Sequence, residues 1–290
     1  MSEDLETFEA HRPALLGLAY RMLGDLARAE DAVQDAWLRW QGRQVHVQTP
    51  KAFLVTTVTR LCLDELGSAR ARREESRSDR LPEPVDLGST PMGQVDEMDR
   101  ISMAFLVVLQ RLTPVARAVF LLHDVFDMTH AEIGGFLGKN DAACRQLLRR
   151  AREQVAAEER TRRTSQEEHR RLLGAFVQAV TAGETARLLE LLAEDAVLIA
   201  DAGSGGASYG RIRNVGRPVV GRRKIGGLLS GFASQDVPGL ELHERTLNGE
   251  PAMLVLQNGR PFSAILLSVA DGRIDRVFVQ IDPERLRRLG

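Results

Sequence analysis

The chain has 290 residues, 43% of them hydrophobic and 27% charged, with 39 Lys and Arg against 40 Asp and Glu. That length predicts two or three domains, and the composition is that of an ordinary globular protein rather than a polycation or a disordered chain. Cys62 and Cys144 have no second cysteine or histidine at ligand spacing, which excludes a disulfide scaffold and a zinc site and fits a reducing compartment. The start, MSEDLETFEAHRP, is acidic and lacks the apolar stretch of a signal peptide. No apolar run approaches the roughly 18 residues of a membrane span. The expectation is a cytoplasmic protein with no membrane partner, metal or cofactor.

The charge is unevenly spread. Residues 1–40 hold eight acidic and four basic side chains, and residues 139–163 hold eight basic and four acidic ones. Such asymmetry predicts two surfaces with different partners.

The first block, residues 1–70, is helical. Phe8, Leu15, Leu16, Ala19 and Met22 recur at helical spacing, and Gly24-Asp25 marks a break. In AEDAVQDAWLRW, Ala29, Val33, Ala36, Trp37 and Trp40 share one face while Glu30, Asp31, Gln34 and Asp35 lie largely on another. Residues 41–50 read as a loop. Helix resumes at Lys51 and is expected to reach Ala69, with Phe53, Leu54, Val58 and Leu61 inward. Residues 71–98 read as a linker, charged and proline-bearing. Within it, Leu81-Pro82-Glu83-Pro84-Val85 is predicted to be extended and stiff, a spacer or a docking segment.

The second block is residues 99–160. A helix is expected over 99–111, and Thr113-Pro114 opens the next. Thr129 and Glu132 have the capping-box spacing. Ile133, Phe136 and Leu137 form the core face of that helix, and Gly138 supplies a left-handed turn. Asn140 caps a last helix from Asp141 to about Glu158, with Cys144, Leu147, Leu148 and Ala151 inward. This is a helix-turn-helix, whose second helix enters the major groove of DNA. Asn140, Asp141, Ala142, Arg145, Gln146 and Arg149 are the candidates for base contact, and the other arginines suit phosphates.

The third block, residues 166–290, predicts a long helix, a break at Gly183, a short helix and a strand. Another helix is expected over 222–233. Strands at about 239–247, 251–257, 262–269 and 273–281 are separated by Asn248-Gly249, Asn258-Gly259 and Asp271-Gly272, all hairpin signals. Helices followed by an antiparallel meander mean α+β.

The order of these motifs over residues 5–158 resembles bacterial sigma factors of the extracytoplasmic-function type. The resemblance implies a multidomain fold of two all-α sigma domains, residues 1–70 and 99–160, the second carrying the helix-turn-helix. It implies that Asp31, Gln34, Asp35 and Trp37 contact core RNA polymerase. The loop at 41–50 would capture an extruded base of the −10 element, and the helix from Lys51 would read and melt that element. Arg60, Arg70, Arg72 and Arg73 offer a basic surface for it. Phe53 stands where the family commonly has Trp, and Leu61 where it commonly has Asn. The helix from Asn140 would read the −35 element.

The third block resembles the SnoaL-like, nuclear transport factor 2-like cone. Isomerases and cyclases of that fold use a buried acid or base, for which Asp195, Asp201, His243 and Asp275 are the candidates. No pair is placed by spacing, and a non-enzymatic role is expected. Sigma factors with a fused SnoaL-like domain form a group in which the extension regulates in cis, so a separate anti-sigma factor is not expected. The group's linker motif corresponds to Leu81, Pro82 and Pro84. Its loop motif corresponds to the stretch from Asp201, without the group's Lys. Its C-terminal motif corresponds to Asp282 and Pro283. The expected mechanism has the cone pack on the sigma domains and linker, with a small apolar molecule as its ligand. Two alternatives are a one-component DNA-binding regulator with a ligand domain and a cyclase- or isomerase-like enzyme with a DNA-binding head.

Overall fold

A computed structural model describes residues 3–44, 47–68, 80–90, 101–159, 164–203, 217–233 and 237–290. The chain divides into two compact units: Met1–Ser76, Leu87–Ile101 and Phe105–Glu158 in the first, Arg77–Asp86, Ser102–Ala104 and Glu159–Gly290 in the second.

The first unit is helical. Helix α1 (Glu3–Leu23) ends at Gly24, whose φ of 67° is left-handed. Asp25 then caps α2 (Leu26–Gln41) by accepting the Arg28 N–H at 3.0 Å. Proline opens α3 (Pro50–Leu66). Phe8, Leu15, Ala19, Met22, Val33, Leu54 and Val58 are all buried, as their spacing requires. Cys62 is buried with them, and burial pushes its thiol up to about 12. Helix α3 stops three residues short of the expected Ala69, because Gly67 and Ser68 fold back on Leu63 and Glu65 in a terminal turn.

Next come α4 (Met103–Arg111), α5 (Pro114–Asp124), α6 (His130–Leu137) and α7 (Asp141–Glu159). Helix α5 packs on α1 and α3. Arg117 of α5, 2% exposed, sits in this seam. Its guanidinium donates to the carbonyls of Leu109 at 2.7 Å, Gln110 at 3.1 Å and Leu112 at 3.4 Å, and to that of Met22. A buried cation left unpartnered is costly, and the carbonyl-rich ends of α4 and α1 are suited to hold one.

The second unit builds helices against a curved sheet. Its elements are α8 (Gln166–Thr181), α9 (Thr185–Leu191), β1 (Leu192–Asp201), β2 (Val219–Val220), α10 (Arg222–Ala233), β3 (Leu240–Leu247), β4 (Glu250–Gln257), β5 (Arg260–Ala270), β6 (Arg273–Gln280) and α11 (Pro283–Leu286). Among the described residues the strand order is β2-β1-β6-β5-β4-β3. The three predicted hairpins are present. Asn248, Asn258 and Asp271 have φ of 54°, 52° and 50°, and the glycine after each is also left-handed. Each makes the two-residue primed turn that matches strand twist. The sheet is mixed rather than a plain meander, because β1 runs parallel to β6. Leu172, Phe176, Leu188, Ile225, Leu267 and Val277 join helices and sheet in one core.

His169 on α8 is 7% exposed, and its Nε2 has no hydrogen-bond partner among the described residues. Burial holds its pKa below the ordinary value of 6.5. The unfolded chain therefore binds a proton near pH 6.5 that the folded chain refuses. Stability is expected to fall as pH drops from 6.5 toward the folded value. Urea unfolding at pH 7.5 and 5.5 checks this, and His169→Leu should reduce the loss.

Candidate nucleic-acid interface

Helix α2 presents two faces. Ala29, Val33 and Ala36 are buried, and so is Trp40, whose Nε1 donates to the Asp4 carbonyl at 3.0 Å beneath the Arg43 guanidinium. Trp40 is a core residue. Trp37 is half-buried against Phe8, ring centroids 4.9 Å apart. Asp31, Gln34 and Asp35 are exposed. Beside them is Leu38, 58% exposed and absent from the contacts expected of this helix. An exposed apolar side chain one turn from Asp35 on an acidic face suits a protein partner better than DNA, and its one sequence signal was its place off the buried stripe.

On α3, the Phe53 ring meets that of Trp40 in a tilted contact with centroids 5.7 Å apart, and Leu61 is half-buried. Arg60 is exposed, and its guanidinium lies 5.2 Å from the Phe136 ring of α6. Lys51 is 6.0 Å from the Phe126 ring. Arg70, Arg72 and Arg73 lie outside the described residues.

The helix-turn-helix forms as its capping residues dictate. Thr129 Oγ1 accepts the Glu132 N–H at 3.3 Å, and Glu132 Oε2 accepts the Thr129 N–H at 2.7 Å. Gly138 has φ 64°. Asn140 Oδ1 accepts the Ala143 N–H at 2.8 Å, so its side chain is engaged in the cap. Gly134 carries a signal the sequence reading missed: a Cβ there would lie 2.5 Å from the Lys139 carbonyl oxygen. The turn closes only over a bare backbone.

On α7, Cys144, Leu148, Ala151 and Val155 face inward, while Leu147 is half-buried. Ala142, Arg145, Gln146 and Arg149 are exposed. Arg145 pairs with Asp141 at 2.6 Å and Arg149 with Glu153 at 3.5 Å. Exposed pairs of this kind are weak, so DNA can take these guanidinia.

In the second unit, Leu81, Pro82, Glu83, Pro84 and Val85 are all buried. The Leu81 N–H donates to Asp201 Oδ2 at 2.9 Å. The Val85 N–H donates to Asn248 Oδ1 at 3.2 Å, and the Asn248 N–H to the Val85 carbonyl at 2.8 Å. Asp201 also accepts the Gly203 N–H at 2.9 Å, and its carbonyl accepts from Ile281 and Asp282. Asp282 caps α11 through Glu284 and lies 3.7 Å from Arg80. Pro283, at the first position of α11, is exposed. A Cβ at Gly203 would meet the Asp282 carboxyl at 2.5 Å. Residues 204–206 of the loop lie outside the described residues.

The four candidate catalytic groups do not converge. Asp195 is exposed. Asp201 is engaged as above. His243 pairs with Glu241 at 3.2 Å on β3, and Asp275 lies 3.7 Å from Arg276.

Two family models match the chain: Sigma-70 region 2 over residues 7–72 and Sigma-70 region 4 over residues 102–155. The ECF RNA polymerase sigma factor SigJ of Mycobacterium tuberculosis is 37% identical over 241 residues, 82% of this chain and 75% of that protein. The probable ECF sigma factor SigI of the same species is 31% identical over 96% of this chain and 93% of its own. The crystal structure of SigJ superposes with a TM-score of 0.74 at 30% identity, covering 98% of both chains. The chain belongs to the extracytoplasmic-function sigma factors, with two helical sigma domains and a C-terminal SnoaL-like cone. It is a promoter-directing initiation factor of bacterial RNA polymerase. Among the described residues no helix is long and apolar enough to cross a membrane.

Proposed function

We propose that the C-terminal cone controls this sigma factor in cis by gripping the linker between the two sigma domains. The observation that carries the reading is the bond from the Leu81 N–H to the buried Asp201 carboxylate. Leu81, Pro82, Pro84, Asp201 and Asp282 are the contact residues, with Pro283 setting the first turn of α11.

The promoter readers lie within one compact unit. A unit of about 150 residues has a radius of gyration of ~15 Å. The −10 and −35 elements are about 25 base pairs apart, or ~85 Å of straight duplex at 3.4 Å per pair. The first unit must therefore open for both elements to be read at once. A linker pinned over residues 80–86 resists that separation, so the grip is inhibitory. It stands in for a separate anti-sigma factor.

Asp31, Gln34, Asp35 and Trp37, joined by Leu38, form the polymerase-contacting face of α2. Ala142, Arg145, Gln146 and Arg149, flanked by Asn140 and Asp141, read the −35 element. Arg60, with Arg70, Arg72 and Arg73, serves the −10 element once Phe136 is withdrawn. The cone acts by contact rather than by chemistry, since its candidate acids and histidine are dispersed or engaged. A small apolar molecule bound in the cone would be the signal that loosens the grip, and the protein would act in the cytoplasm with the polymerase. Run-off transcription by holoenzyme carrying the wild-type chain or Asn248→Ala tests the grip. A higher output from the variant is expected, and equal output from the two folded proteins refutes it.

A further inference from the structure

Arg152 lies on α7 two turns beyond Arg145 and lines the same open groove as His130, Arg145 and Arg149. Its sequence position suggests a phosphate contact. Its geometry does not. Arg152 Nε is 3.0 Å from Asp124 Oδ2, and its Nη2 is 2.6 Å from Asp124 Oδ1. This is the two-pronged fork that Arg makes with a carboxylate and Lys cannot. Asp124 is the last residue of α5, and its side chain is only 13% exposed. His123 Nδ1 lies 2.8 Å from the same Oδ1, and the His123 ring meets that of His130, the first residue of α6, in a tilted contact with centroids 4.7 Å apart. One cluster thus ties the end of α5, the start of α6 and the middle of α7. Burial pushes the Asp124 carboxyl up, yet the bonds from Arg152 and His123 hold it below its ordinary value. An ionised Asp124 that lost Arg152 to a phosphate would stay largely buried with less to offset its charge.

We infer that Arg152 is a positioning residue for promoter recognition: through Asp124 and the His123–His130 ring contact it fixes the rotation of α7, and with it the aim of Arg145, Gln146 and Arg149. It is not itself a DNA contact. At 100° per residue, Arg152 falls within about 20° of Arg145 on the helix circumference. A tether at this point therefore sets the direction of the reading face. The inference rests on the reading of α7 as the −35 reader.

The test is binding of the holoenzyme to a promoter duplex whose −35 element the wild-type holoenzyme selects from a library randomised there alone, against a duplex scrambled there alone, over a range of salt. The variants are Asp124→Asn, Arg152→Lys and Arg152→Gln. A positioning role predicts that all three lose about tenfold on the selected duplex, the scale of one base contact. Binding to the scrambled duplex should change little, and the salt slope should stay as in wild type. General unfolding would lower both duplexes together and overturn the inference. A phosphate contact predicts the opposite pattern. Asp124→Asn would then bind more tightly, Arg152→Lys would match wild type, and Arg152→Gln would lose about 0.9 of salt slope. That pattern would overturn the inference while the wild-type selectivity left the −35 reading intact.

Discussion

Asp201→Ala is expected to raise promoter-dependent run-off transcription by the holoenzyme about tenfold. The substitution removes the acceptor of the Leu81 and Gly203 N–H groups, both at 2.9 Å. A hydrogen bond to a charged group contributes about 1.5–3 kcal/mol, and a tenfold population change corresponds to about 1.4 kcal/mol. Losing one grip point therefore shifts the chain substantially toward the open state. The complementary change, Leu81→Pro, deletes the donor instead and should act in the same direction. Unaltered output from a folded Asp201→Ala protein would mean that the docked linker has no regulatory weight.

The second large effect is expected at Arg117. Arg117→Met keeps the length of the stem but leaves the carbonyls of Met22, Leu109, Gln110 and Leu112 without this donor. Deleting one member of a buried polar network costs about 3 kcal/mol. The loss should appear as a lower urea midpoint for the helical unit. The transition of the C-terminal unit should stay in place, because the α8–β6 core is built from residues of that unit while Arg117 belongs to the first. A wild-type midpoint would show that apolar packing alone holds the α1–α5 seam.

Local chemistry made much of this protein legible from its sequence. The capping box of Thr129 and Glu132, the left-handed Gly138 and the Asn140 cap are each fixed within a few residues, so the helix-turn-helix was readable. The three two-residue hairpins were readable for the same reason. Long-range pairing was not. Nothing near Leu192 announces that β1 lies parallel to β6, some 80 residues later in the chain. Leu81 meets Asp201 across 120 residues. Trp37 and Trp40 are three apart on one helical face, and periodicity could not tell which would be covered by Asp4 and Phe53. The Asp124–Arg152 pair was hidden likewise, since an arginine-rich face gives no sign of which guanidinium a distant carboxylate holds.

Run-off transcription by bacterial core polymerase on the promoter of this protein's own gene tests most directly whether the chain initiates transcription through the acidic face of α2. Three reactions are compared: core alone, core with the full chain, and core with a chain carrying Asp31→Arg and Asp35→Arg on α2. A specific transcript is expected with the full chain, none with core alone, and a strong loss with the α2 variant. A chain that binds the promoter tightly without polymerase and yields no transcript in any reaction would refute that role.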